Sequence, residues 1–138
     1  MHTTGLLSPD DETTARESYE TLGPAAQTVV KETAKAMAFD AAEYDERVTS
    51  DVIETARDAL FASLLQVRIG TDKEYDEWNA EFDGTVEERG SEHVENVVWH
   101  VGPDGNAVAA TFQEKEQAAV ATLRRQAFGS LYSDIVRP

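Results

Sequence analysis

Between His93 and Phe112 the chain stops reading as helix and starts reading as strand. Upstream, apolar residues recur about every 3.6 positions; from His93 to Val101 they run together or alternate with a period of about 2, rich in β-branched side chains. Gly102-Pro103-Asp104-Gly105 is a turn signal. Proline presets φ at one turn position and glycine supplies positive φ at another. Ala107 to Phe112 then resumes the strand pattern. The spacing predicts an antiparallel hairpin over about residues 93–112.

A lone two-stranded hairpin is only marginally stable in water, so it must pack on a helix or pair with another strand, from this subunit or a second one. The rest of the chain supplies helices. Ser8-Pro9-Asp10-Asp11-Glu12 opens one that runs to about Leu22 and stops at Gly23-Pro24. Ala26, Val29, Val30, Ala34 and Met37 mark a second. Asp40 to Glu43 reads as a capping box for a short helix through Val48. Thr49 or Ser50 caps a helix from Asp51 to about Gln66, with Val52, Ile53, Ala56, Leu60 and Leu64 as its stripe, widened by Phe61 and Leu65. Thr71-Asp72-Lys73-Glu74 is another capping box, opening a helix that carries Tyr75, Trp78 and Phe82. Val67 to Ile69 reads as a short strand or a helix end closed by Gly70, and Glu87 to Glu92 as a polar loop. The expected fold is α+β: about five helices and one hairpin packed on a C-terminal helix over about residues 113–133, with 1–138 as a single domain.

Charge bears on environment. From His100 to Pro138, Lys115, Arg124, Arg125 and Arg137 balance Asp104, Glu114, Glu116 and Asp134, so the whole net charge of −15 sits in residues 1–99. Such self-repulsion destabilises a compact state. At about 1 M salt the Debye length is only about 3 Å, and the repulsion is nearly extinguished. Four Lys against eight Arg, three Ile, and abundant Ala, Val and Thr complete a halophilic pattern. Binding of nucleic acid through the acidic part is disfavoured, because phosphate contacts need Lys and Arg; Arg124, Arg125 and Arg137 form the only basic patch on which a weaker nucleic-acid reading rests. There is no cysteine, hence no disulfide or thiolate metal site. No apolar run is long enough to span a membrane, and Met1 to Leu7 lacks the features of a signal peptide. Cytoplasm is the expected location.

Val97-Val98-Trp99-His100-Val101, the Gly102–Gly105 turn, Val108 to Gln113, Thr122 to Phe128, Tyr44 to Val48 and Phe61 to Leu65 resemble a small family of uncharacterised haloarchaeal proteins. The resemblance covers most of the chain. It implies a halophilic cytoplasmic source and a domain of unknown function, and it brings no catalytic residues.

Candidate chemistry therefore comes from single residues. On a helix turning about 100° per residue, Arg124 falls inside the arc of Val120, Leu123, Ala127, Phe128, Leu131 and Ile135. A guanidinium there must snorkel or find a carboxylate, carbonyls, an anionic ligand or a subunit interface. Arg125 lies at the edge of the stripe beside Tyr132, either a solvated charge or a contact residue. His100 is a strand histidine that is hydrogen-bonded in place or serves as a general base. Trp99 is expected to pack on the last helix or on the Trp78–Phe82 helix, with ligand stacking or a dimer contact as the alternative. His93 and Glu95 share a strand face and are weak metal-ligand candidates, since zinc would need at least one more ligand from elsewhere. Paired carboxylates mean nothing among 27 acids. No phosphate-binding, dinucleotide, metalloprotease, calcium-loop or serine-hydrolase motif is present, so no cofactor and no catalytic residue is nominated.

The leading expectation is a non-enzymatic interaction or structural domain that self-associates, as a dimer, through its neutral C-terminal third; an unknown protein partner is a further possibility. The rival is a binder of anionic small molecules, or an enzyme, using Trp99, His100 and Arg124.

Overall fold

The computed structural model describes residues 1–137; Pro138, the last residue of the expected domain, lies outside the described residues. The strands are β1 (His2–Thr4), β2 (Val67–Thr71), β3 (Val86–Arg89), β4 (Asn96–Val101) and β5 (Ala107–Phe112). The helices are α1 (Glu12–Thr21), α2 (Gly23–Ala36), α3 (Ala41–Arg47), α4 (Ser50–Leu64), α5 (Asp72–Glu81), α6 (Glu116–Ala127) and α7 (Ser133–Val136), with a π-helical turn (Phe128–Tyr132) joining the last two.

The fold is α+β, and the hairpin is the centre of a larger sheet. β4 and β5 pair antiparallel. Gly102 donates its N–H to the Asn106 carbonyl at 2.7 Å, and Gly105 takes a φ of 83°, closing the turn. The expectation of a single hairpin is corrected here: the sheet has five strands in the order β1-β2-β4-β5-β3. β2 pairs antiparallel with β4 and β1 with β2, while β3 runs parallel to β5. The hairpin's stability problem is thus met within the subunit, by a strand on each side. Residues 87–89, expected in a loop, belong to β3. β4 begins at Asn96 and not at His93, which sits in the preceding loop with a φ of 62°. α6 begins at Glu116, three residues later than expected.

Strand alternation divides the core. Val98, His100 and Val108 face α6, while Val97, Trp99 and Ala109 face α5. On the α6 side Phe61 meets Tyr19, Phe128 and Tyr132 edge-on, at centroid distances of 5.8, 5.9 and 5.2 Å. α4 turns Phe61, Ala62 and Leu65 inward, whereas Val52, expected on its stripe, is exposed. α2 packs against α4, and α3 buries none of its residues.

Asp40 caps α3 as expected, accepting the Glu43 N–H at 2.9 Å. Thr71 and Glu74 form the reciprocal capping box of α5, and Thr49 caps α4. α1, however, is capped by Asp11, whose carboxylate accepts the Thr14 N–H at 2.7 Å, and not by Ser8. Gly70 is no helix stop. It lies inside β2, and a Cβ there would sit 3.1 Å from Trp99 Cη2 and 3.3 Å from Glu74 Cβ. Its missing side chain is the space the indole occupies.

Candidate functional site

His100 is 1% exposed. Its Nδ1 lies 2.5 Å from the Gln66 carbonyl oxygen and its Nε2 lies 2.7 Å from the Tyr132 hydroxyl. A carbonyl only accepts, so Nδ1–H donates to Gln66 and Nε2 accepts the Tyr132 proton. Burial lowers the pKa to about 4 and outweighs the opposing effect of the Gln66 bond, so the ring is neutral at pH 7. Burial likewise pushes the Tyr132 phenol up. Both ring nitrogens are occupied inside the protein, and the pair ties β4 to the π-helical turn.

Trp99 points to the opposite face. It is fully enclosed between Tyr75 and Trp78, at centroid distances of 5.2 and 5.6 Å, as its packing on the α5 helix requires. Its indole N–H has no hydrogen-bond partner among the described residues. Arg124 is half-buried and donates its Nε–H to the Leu65 carbonyl at 2.9 Å, at the end of α4. Its Nη2 reaches beneath Gly5, whose φ of 101° and missing Cβ leave the guanidinium room. No carboxylate pairs with Arg124 among the described residues. This arginine pins the crossover from β1 to the helices. Trp99 therefore lies across the sheet from His100 and Arg124, and the three do not share one face.

Arg125 is exposed and donates to Thr122 Oγ1 at 3.3 Å. It stands in the middle of the outward face of α6, made of Gln117, Ala118, Ala121, Thr122, Arg125 and, one turn on, Gly129. Arg125 is the single charge among these six positions. Nothing lies within 4 Å of where a Gly129 Cβ would be. A glycine inside a helix costs about 1 kcal/mol relative to alanine, and no intramolecular contact here explains it. His93 and Glu95 are both exposed, with His93 off the strand, so the shared face expected of them is absent. Among the described residues no three His, Cys, Asp or Glu side chains stand close enough to hold a metal ion.

A cleft of about 470 Å³ opens beside α5. Tyr75, Val97 and Ala109 form its floor, with Asp72, Asp76, Glu88 and Glu92 around it. Tyr75 donates its hydroxyl to Glu88 Oε1 at 2.6 Å. Burial first, then this carboxylate, pushes the phenol up. Sequence reading missed the cleft because β3 was not seen as a strand. Its only early sign was Tyr75 on the same helix as Trp78.

The profile described as Family of unknown function (DUF5809) matches residues 6–133. The chain belongs to that family. The DUF5809 match spans every helix from α1 to α6 and strands β2 to β5. Comparison with curated proteins and with solved structures gives no match. No helix among the described residues is long and apolar enough to cross a membrane.

Proposed function

We propose that this DUF5809 domain is a non-enzymatic interaction module that works as a homodimer in a salt-rich cytoplasm, its copies meeting through the outward face of α6. One observation carries the reading: a helix face with a single charge, ending in a glycine that nothing inside the molecule requires, on a chain of net charge −15. Interface centres are depleted in charge. Two strongly acidic copies repel least where their carboxylates are sparse, and small residues let helix backbones approach closely. Concentrated salt removes the remaining repulsion. The enclosure of His100 and Trp99 supports the same reading, since neither presents a reactive or stacking group to a substrate.

Light scattering from dilute buffer to molar KCl tests it. The expected result is a dimer in molar KCl, together with a melting temperature that rises with salt. Ala121→Asp places a carboxylate on an exposed position of the face and should give a folded monomer by the same measurement. A wild-type protein that stays monomeric at high concentration in molar KCl, or an Ala121→Asp variant that dimerises unchanged, rejects the proposal.

A further inference from the structure

Five large apolar side chains are exposed among the described residues, and Leu6 is the most exposed of them, at 82%. A single exposed leucine is ordinary. Leu6 differs in how it is held and in what lies beside it. Its backbone N–H and that of Leu7 both donate to the Leu64 carbonyl at 2.8 Å, and the Gln66 N–H donates to the Leu7 carbonyl at 2.7 Å. The side chain projects into solvent from a fixed backbone, so little main-chain freedom remains to be lost when it is covered.

A groove of about 370 Å³ lies next to it, between α1 and the end of α4. Leu7, Leu22 and Leu64 line it, all half-buried, so each still offers apolar surface. Thr14, Ser18 and Thr21 are uncharged, and Glu17 is the one charge in the lining. From Thr3 to Pro9 the chain carries no charge. One patch thus holds an apolar knob and an apolar socket side by side, with a single carboxylate, on a chain of net charge −15. The patch adjoins α6, because Arg124 Nη2 packs beneath Gly5, the residue before Leu6.

A two-fold interface brings the same patch of both subunits together, so a knob beside a socket is satisfied twice by one contact. Two acidic copies can approach here with little repulsion, and concentrated salt screens what is left while apolar burial is retained. We propose that Leu6 of each copy inserts into the Leu7–Leu22–Leu64 groove of a second copy of this chain. The inference rests on the reading of the domain as a homodimer and names the contact that closes it.

The chain has no cysteine, so introduced thiols report proximity between copies. Leu6→Cys and Ser18→Cys are made as separate variants, mixed in molar KCl and oxidised, with Asp45→Cys on α3 in place of Ser18→Cys as the control. A disulfide between the first two variants, located by mass spectrometry, is expected, and far less with the control. In light scattering Leu6→Ala should weaken dimerisation about a hundredfold, whereas Leu6→Met, which keeps the volume, should stay close to wild type. Far-ultraviolet circular dichroism of both should be unchanged, because Leu6 is exposed in the single subunit. A dimer that Leu6→Ala leaves intact, or a mixed pair that cross-links no better than the control, overturns the exchange and leaves the α6 contact standing. Loss of the dimer in Leu6→Ala but not in Ala121→Asp removes the α6 contact and upholds the exchange. A wild-type monomer in molar KCl overturns both.

Discussion

On the α6 side of the sheet the large side chains are enclosed and the one buried ionisable ring has both nitrogens bonded. On the α5 side the aromatic residues crowd into one stack, Tyr75, Trp78, Phe82 and Trp99, beside β2 and β4. The rest of that face, floored by Val97 and Ala109 beside Tyr75, opens as a cleft. The difference follows from coverage. Four helices (α1, α4, α6 and α7) and a π-helical turn share the first face, whereas the ten-residue α5 serves the second. A buried polar group on the closed side must be fully bonded, because water cannot reach it. On the open side the exposed carboxylates keep their solvent.

The sharpest test of that contrast is truncation of one aromatic residue on each face. Phe61, fully enclosed and touching three other rings, should cost about 3–5 kcal/mol when replaced by alanine. Trp78 is only partly buried, and Trp78→Ala should cost less, about 1–3 kcal/mol, since part of its area is already wet. Chemical denaturation in molar KCl measures both. Equal losses would mean that the α5 face is as closed as the other.

The next test uses pH. His100 titrates near 6.5 when unfolded and at about 4 in the fold. Between those values the unfolded chain binds more protons, so this residue makes stability fall as pH drops from about 6.5 to about 4, by at most about 3 kcal/mol. Carboxylates protonating over part of that range relieve repulsion and act with the opposite sign. The quantity to measure is therefore the difference between wild type and His100→Gln. A difference that does not change with pH across this window would show that the ring is charged or exposed. Tyr132→Phe removes the donor to Nε2 and should cost about 1–3 kcal/mol at pH 7 in the same assay.

How far the sequence reveals this contrast depends on the range of each signal. The β4–β5 turn and the Thr71–Glu74 box are local, and both are realised. β3 was invisible because an edge strand carrying Glu87, Glu88 and Arg89 has no apolar alternation, and its partner β5 lies beyond β4 in the chain. β1 is three exposed residues that gain strand geometry only by pairing with β2. Gly70 looked like punctuation because the indole filling its place comes from β4. The helical wheel correctly put Arg124 against the apolar stripe, but its partner is a backbone carbonyl, which no side-chain pattern encodes. His100 reads from the sequence as a strand histidine hydrogen-bonded in place or a general base, and its partners Gln66 and Tyr132 come from distant segments. The cleft depends on β3 and the loop after it meeting the first turns of α5, a consequence of assembly.

The smallest expected effect bears on the outer surface. Gly129 lies in the π-helical turn with open space around it, so Gly129→Ala should stabilise the folded subunit by up to about 1 kcal/mol through helix propensity alone. If the outward face of α6 is a contact between copies, the added methyl separates the backbones and dimerisation should weaken severalfold in light scattering. Stability and association then move in opposite directions, which a purely internal role for the glycine does not produce. A variant that gains stability and dimerises as before would remove contact between copies as the reason for a glycine here. The sparse charge on that face would then be a by-product of the neutral C-terminal segment, and the cleft across the sheet would be left as the feature that distinguishes one side of the molecule from the other.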